Sequence, residues 1–349
     1  MINKSFFSTE ILRWFRENGR DLPWRETRDP YAIWLSEIIL QQTRIAQGWE
    51  YWERFMQTYP KVEDLAAASE DDVLKLWQGL GYYSRARNLH TAAKQIVALG
   101  AFPNTLEGIK SLKGVGDYTA AAIGSFAFDI PAAVVDGNVY RVLSRYFGID
   151  TPINSTQGKK EFAALAQSLL PASDAASYNQ GMMDFGAIQC TPQSPKCLLC
   201  PLAETCEALR CGRVEELPVK NKTVKVKTRH LSYIYIRCKS SAADGIGKSE
   251  PMVAIHRRGE GDIWQGLWEP YNVSDVKELP SFVKNPILLA KDVKHVLTHR
   301  ILLADFYLLE TESRPQLPDD YIWIKESEIE DYGVPRLIEI MLEKINPVE

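Results

Sequence analysis

The sequence predicts a multidomain chain: an all-α domain over residues 1–210, a basic linker over 211–229, and an α+β domain over 230–349. Three observations predict it. The length, 349 residues, is about two domains' worth. Helix-compatible runs punctuated by glycine and proline fill the first part, and β-rich runs replace them past residue 229. Four of the six cysteines crowd the end of the helical part. At 45% hydrophobic and 25% charged residues, the composition is that of a folded chain, which excludes a disordered or collagen-like one. No stretch approaches the roughly 18 apolar residues of a membrane span. Residues 1–10 lack a basic segment leading into an apolar one, so no signal peptide and a reducing, cytoplasmic setting are expected.

In the first part, Asp29-Pro30 has the form of an N-cap followed by proline at the first helical position. It opens a helix expected over 31–43. Further helices are expected over 64–80, 85–99, 119–128, 138–147 and 159–170. Residues 207–229 crowd Arg213, Lys220, Lys222, Lys225, Lys227 and Arg229 with little apolar periodicity and read as an exposed linker. Beyond it, 230–237, 252–257 and 321–324 read as strands, 293–309 as two strands or one bent one, and 335–345 as a closing helix.

The net charge of −4 hides an asymmetry. Residues 1–230 carry 27 Lys/Arg against 25 Asp/Glu, while 231–349 carry 14 against 20. Within 73–113, Lys75, Arg85, Arg87, Lys94, Lys110 and Lys113 are opposed by Glu107 alone. Local patches of this kind, not the total, set an electrostatic footprint for nucleic acid, although a solvated helix face has the same composition.

Cys190, Cys197, Cys200 and Cys206 form a C-x6-C-x2-C-x5-C run. Four thiolates so close in sequence can converge on one centre, and a disulfide reading conflicts with a reducing compartment. Zinc and iron–sulfur clusters both accept four cysteines, and the spacing does not choose between them. Cys211 and Cys238 are left over.

Lys113, Gly114, Val115 and Gly116 sit between two helical runs. Glycines at alternate positions permit a tight turn whose N–H groups can cradle a phosphate. Eighteen residues after Tyr118 comes Asp136, heading the next helix, where backbone amides would hold its carboxylate ionised. An ordinary N-cap accounts for the same residue.

LKGVGDYTAAAIGSFAF at 112–128 and VVDGNVYRVLSR at 134–145 resemble the helix–hairpin–helix Gly/Pro–Asp motif of the endonuclease III superfamily of DNA glycosylases. The cysteine run resembles that superfamily's iron–sulfur loop. PWR at 23–25, SEIILQQTR at 36–44 and LWQGLGYYSRARNL at 76–89 are similar, more narrowly, to the adenine DNA glycosylase (MutY) family, and the likeness runs over essentially the whole chain. It implies an all-α helix–hairpin–helix glycosylase domain with an iron–sulfur loop holding a [4Fe–4S] cluster, followed by a MutT-like (Nudix-fold) domain. It also admits a cation at the hairpin contacting a DNA phosphate.

The expected activity is excision of adenine mispaired with 8-oxoguanine or guanine in double-stranded DNA. Superfamily members that also cut the backbone carry a Schiff-base lysine at the seventh hairpin position. That position is Tyr118 here, so a monofunctional enzyme is expected. Glycosidic cleavage through an oxocarbenium-like transition state needs an acid and a stabilising carboxylate. Glu37, among Ile33, Leu40 and Gln41, sits where burial raises its pKa; the resemblance makes it the general acid. Asp136 matches the carboxylate that stabilises the sugar cation, with Tyr118 and Asn138 supporting the pair. Adenine must be flipped out of the duplex. Tyr82 and Gln42 look like wedges, Gln42 and Thr43 would also touch the mispair, and Trp24, Arg25, Leu40 and Gln180 resemble adenine-pocket residues.

In the second domain no Arg-Glu dipeptide follows residue 211, which excludes a working Nudix pyrophosphohydrolase box. A reading function is expected instead. Leu297, Thr298 and His299 align with the family's Phe-Ser-His loop, whose hydroxyl and imidazole contact the oxidised guanine. Threonine keeps the hydroxyl; leucine loses the ring. The alternatives are a bifunctional glycosylase/lyase and a non-catalytic lesion binder. A cytoplasmic, nucleoid-associated monomer acting on duplex DNA, with no membrane partner, is expected.

Overall fold

The computed structural model describes residues 4–221, 226–239, 250–274 and 279–345. The chain runs α1 (Lys4–Asn18), α2 (Pro30–Ile39), α3 (Ile45–Thr58), α4 (Val62–Ala67), α5 (Glu70–Leu76), α6 (Ser84–Leu99), α7 (Leu106–Lys110), α8 (Asp117–Phe128), α9 (Gly137–Phe147), α10 (Thr156–Leu169), α11 (Ala175–Asp184) and α12 (Glu207–Arg210). Six strands follow, β1 (Lys227–Cys238), β2 (Met252–Arg257), β3 (Trp268–Ser274), β4 (Ile287–Val296), β5 (Arg300–Thr311) and β6 (Tyr321–Lys325), and α13 (Arg336–Ile345) closes the chain. By contacts the residues fall into two compact units: Met1–Ala66 with Thr91–Lys222, and Ala67–His90 with Thr223–Glu349.

In the first unit, Phe7, Ile11 and Trp14 of α1 pack with Val139, Val142, Leu143 and Tyr146 of α9, Phe162 of α10, and Tyr178 and Met182 of α11. Removing several such side chains from water at ~25 cal/mol per Å² is the main force holding the bundle. Asp29 caps α2, accepting the Tyr31 N–H at 3.0 Å with Pro30 behind it. Every residue from Tyr31 to Ile39 is buried. The helix stops at Ile39, short of the expected 43: Gln42 has φ +58°, and the chain leaves the axis there. The expected 64–80 helix is two, because Ser69 turns away to cap α5, accepting the Asp72 N–H. The expected exposed linker is tied down as far as Asn221. Leu217 is buried, Ile153 N–H bonds the Val219 carbonyl, and the Asn154 amide bonds both the N–H and the carbonyl of Asn221.

The second unit is a six-stranded mixed sheet in the order β4-β5-β1-β3-β2-β6, with β1 and β5 parallel and the other pairs antiparallel. The two-residue period sorts β1 by face. Tyr233 and Tyr235 join Phe306 of β5 and Leu337, Ile338 and Met341 of α13, while Ile234 and Ile236 face the opposite layer. Residues 67–90 belong with this unit through specific bonds. Arg87 donates to the Gln265 carbonyl at 2.5 Å, Arg257 pairs with Glu70 at 2.9 Å, and Gln78 bonds Glu339. This corrects the expected basic face over 73–113. Arg85 is buried with its guanidinium over the Trp77 ring, Arg87 is spent on Gln265, and half-buried Lys75 donates to the Tyr332 carbonyl; Lys94, Lys113 and Lys110, the last paired with Asp117, remain exposed. Among the described residues no helix is long and apolar enough to cross a membrane.

Candidate active site

A cavity of about 610 Å³ in the first unit is lined by Glu37 and Leu40 through Ile45 on one side and Tyr118, Val135, Asp136, Asn138, Met183 and Ala187 on the other. The elements explain the gathering. Helix α2 packs on α8 and ends where the cavity begins, so residues 40–45 turn along its wall. The hairpin between α7 and α8 is sharp because Gly114 has φ +79°, a conformation a side chain resists. It delivers Tyr118 in the first turn of α8.

Glu37 is buried, 7% exposed, and accepts the Tyr118 hydroxyl at 2.9 Å. Burial raises its carboxyl from 4.5 to about 7; the Tyr118 bond and Arg25 pull the other way, and nearby Asp136 pushes it further up. A carboxyl with that value holds a proton near neutrality and can give it up. Burial likewise keeps the Tyr118 hydroxyl well above its ordinary range, so it remains a donor.

Asp136 is the N-cap of α9, accepting the Val139 N–H and the Asn138 side-chain amide, each at 2.8 Å. The cap and the carboxylate of the expected site are one residue. Its carboxyl still sits above its ordinary value, because burial outweighs those bonds and the Arg141 charge; the sequence reading weighed the amides but not the burial. Asn138 is fixed in turn by Arg141, which donates to its Oδ1 at 2.7 Å, to the Gly186 carbonyl at 2.6 Å and to the Cys190 carbonyl at 2.8 Å.

The cavity thus brings together Glu37, Leu40, Gln42, Thr43, Tyr118, Asp136 and Asn138. Trp24, Arg25 and Gln180 do not line it. Trp24 is buried beside Trp49 and Trp52. Arg25 and Gln180 line a separate cavity of about 290 Å³. Arg25 forks onto the fully buried Asp184 at 2.8 and 2.9 Å. Arg20, Val135, Met183 and Ala187 line the main cavity and carry no local sequence signal; only the fold brings them there. In the hairpin, the Lys113 N–H is taken by Gln95 at 2.8 Å and the Val115 N–H by the Leu112 carbonyl at 3.1 Å. The N-terminus of α8 beyond Gly116 has no side-chain cap.

Cys190 ends a π-helical turn over Phe185–Gln189, and Cys197, Cys200 and Cys206 follow in short turns. All four are free and half-buried, and Cys190, Cys200 and Cys206 pack against the core of the unit. Arg145 straps their loop through the Thr191 and Pro192 carbonyls at 2.7 and 3.0 Å and approaches the Cys190 sulfur at 3.5 Å. Burial and the neighbouring cysteines push the Cys200 thiol up to about 12 and raise Cys197 and Cys206, which favours the neutral form of these three until a cation binds. Among the described residues no three His, Cys, Asp or Glu side chains close on a point to hold a single metal ion. Four free, half-buried thiols in one loop fit a group that takes its ligands at separate corners, as an iron–sulfur cluster does.

In the second unit Tyr82 and Tyr83 split. Tyr83 is buried, while Tyr82 has φ +47°, is 47% exposed, and bonds its hydroxyl to that of Thr298. Leu297, Thr298 and His299 form the turn between β4 and β5, closed by the Leu297 N–H on the Arg300 carbonyl at 2.8 Å. In the Gly266–Glu269 stretch, buried Glu269 is occupied by Arg258 at 2.5 and 2.6 Å, Tyr233 at 3.1 Å and His256 at 3.0 Å.

Comparison with known proteins adds three family matches. A model described as HhH-GPD superfamily base excision DNA repair protein matches residues 35–171, an iron-sulfur binding domain of endonuclease III matches 190–206, and a NUDIX domain matches 246–344. The adenine DNA glycosylase of Buchnera aphidicola subsp. Acyrthosiphon pisum is 36% identical over 270 residues, covering 76% of this chain and 74% of that protein. That of Buchnera aphidicola subsp. Schizaphis graminum is 30% identical over 355 residues, covering 97% and 98%. A solved thermostable thymine-DNA glycosylase superposes with a TM-score of 0.56 at 34% identity, covering 60% of this chain and 97% of that one.

Proposed function

Because this chain belongs to the adenine DNA glycosylase family, we propose that it excises adenine paired with 8-oxoguanine or guanine from double-stranded DNA by a monofunctional, hydrolytic route. The observation that carries this reading is the pair of buried carboxyls on one cavity, Glu37 raised to about 7 and bonded by Tyr118, Asp136 capped by amides.

The flipped adenine nucleotide occupies the cavity. Glu37 gives its proton to a ring nitrogen, N7, as the bond between the sugar C1′ and the base N9 breaks, and the electron pair of that bond leaves with the neutral base. Asp136, held by the Val139 N–H and the Asn138 amide, is the anion that stabilises the sugar cation. Water then adds its oxygen to C1′ and releases a proton, leaving an abasic site. Tyr118 occupies the seventh hairpin position and offers no amine, so no Schiff base forms and the backbone stays intact. Leu40, Gln42 and Thr43 bound the base on the cavity wall.

Cys190, Cys197, Cys200 and Cys206 would hold a [4Fe–4S] cluster, which supplies no step of the hydrolysis and, when bound, makes a rigid fold of the 190–206 loop. Lys113, Gly114, Val115 and Gly116 would present the turn, with a cation, to a DNA phosphate. Residues 230–349 would act as the lesion reader, with Thr298 and His299 against the oxidised guanine and Tyr82 as the wedge beside them. Of the expected 1–210 domain, Met1–Ala66 and the residues from Thr91 onward carry the chemistry, while Ala67–His90 belong with the lesion-reading unit. The protein would act as a monomer on the nucleoid.

Incubation with an A:8-oxoguanine duplex followed by hot alkali should cut the adenine strand, and no cut should appear without alkali. An uncut strand with folded, cluster-loaded protein refutes the reading. A borohydride-trapped covalent adduct abolished by replacing one lysine would instead make the enzyme bifunctional. Duplex binding that is the same in the unaltered protein and in Glu37→Gln, with no excision by either, would leave a non-catalytic binder.

A further inference from the structure

Asp184, the last residue of α11, has a fully buried carboxylate. A charge so placed persists only with partners. Arg25 forks onto it at 2.8 and 2.9 Å, and Arg20 reaches it with its Nε and its backbone N–H, each at 2.9 Å. Two cations therefore share one anion. Arg20 lines the cavity that holds Glu37, and Arg25 acts on Glu37 through space, favouring its ionised form. A guanidinium set free here would strip the acid of the proton it has to deliver.

We propose that Asp184 is a positioning residue for the acid: it pins Arg20 and Arg25 to the end of α11 and cancels enough of their charge for Glu37 to stay protonated. This rests on the reading of Glu37 as the general acid. The groups facing Glu37 are Tyr118 from α8, Asp136 at the head of α9 and Arg25 from the turn at Pro23–Arg25, with Arg20 and Arg44 on the cavity wall. Tyr118 and Arg25 favour the anion; burial and Asp136 favour the acid. Asp184 behaves as a fixed charge across the working range, since the bonds from Arg25 and Arg20 more than offset the upward push of burial and leave its carboxyl below the usual value.

The test is the single-turnover rate of adenine excision from an A:8-oxoguanine duplex against pH, at saturating enzyme, with folding checked by circular dichroism. In the unaltered protein the rate falls as pH rises through the titration of Glu37. In Asp184→Asn that fall moves to lower pH by on the order of one unit, the scale on which a nearby opposite charge shifts a carboxyl. The alkaline-side rate is then about tenfold lower while the acid plateau survives. Arg25→Gln moves the fall to higher pH, the double variant returns toward the unaltered profile, and Asp184→Glu rescues. A folded Asp184→Asn with an unmoved profile, or a double variant that stays with it, overturns the proposal. Should Asp184→Asn not fold, Arg25→Gln decides alone: no upward movement refutes it. If the unaltered protein shows no such fall and Glu37→Gln keeps its activity, the underlying reading fails and takes this one with it.

Discussion

Replacing Glu37 by glutamine isolates the cost of burying an ionisable acid. The carboxyl is raised from 4.5 to about 7, so about 2.5 pH units at 1.36 kcal/mol each make its ionised form cost the fold roughly 3 kcal/mol. Glutamine keeps the shape and an oxygen for the Tyr118 hydroxyl at 2.9 Å, but has nothing to ionise. A carboxyl whose folded pKa lies above its unfolded one favours the fold below about 4.5, and that advantage is gone once pH rises past about 7. The glutamine variant should therefore gain stability over the unaltered protein as pH climbs, by roughly 2–3 kcal/mol between pH 5 and pH 8.5. Urea denaturation of both proteins at the two pH values measures it, because titrating groups away from the site cancel in the difference. Excision should fall roughly hundredfold or more. A stability difference that is the same at both pH values would mean that Glu37 is ionised in the fold at neutrality, and the acid role would go with it.

Asp136→Asn should keep the fold within about 1 kcal/mol, since asparagine caps a helix nearly as well, yet lose excision roughly hundredfold or more; a thermal melt and a glycosylase assay separate the two. Gly114→Ala, at φ +79°, should cost roughly 1–2 kcal/mol and weaken binding to undamaged duplex, read by denaturation and fluorescence anisotropy. Cys200→Ser should remove the broad visible absorption of the purified protein and open residues 190–206 to protease, while a colourless but zinc-loaded unaltered protein would contradict the cluster assignment.

Local chemistry made much of the site legible before the fold. The apolar neighbours of Glu37 signalled a raised pKa, and the Asp136-Gly-Asn138 string signalled a cap. What the string could not carry was balance. At Asp136 the amide bonds were visible but the burial that outweighs them comes from distant elements. The Arg25–Asp184 pair spans 159 positions and has no periodic or spacing signature. The end of α2 was overestimated because Leu40 and Gln41 suit a helix; the turn at Gln42 is imposed by the chain's course along the cavity. Arg85 and Arg87 read as surface charge because composition does not distinguish a solvated guanidinium from one laid on Trp77 or bonded to a carbonyl. The strands were legible where β-branched and aromatic residues alternate, as in β1. Among the described strands the first half of β4, from Ile287, escaped, and so did the whole of β3, since Pro270 and Glu269 are poor strand formers held there by pairing and by the Arg258 bond.

Gly186 sits with no room to spare: a Cβ there would lie 2.6 Å from that of Asn138 and 3.0 Å from its backbone. The smallest possible enlargement, Gly186→Ala, would work as a shim driven under the head of α9, tilting the amide that steadies Asp136. A substitution nearly fifty positions away, uncharged and one carbon in size, would then register as damage to the chemistry rather than to the scaffold.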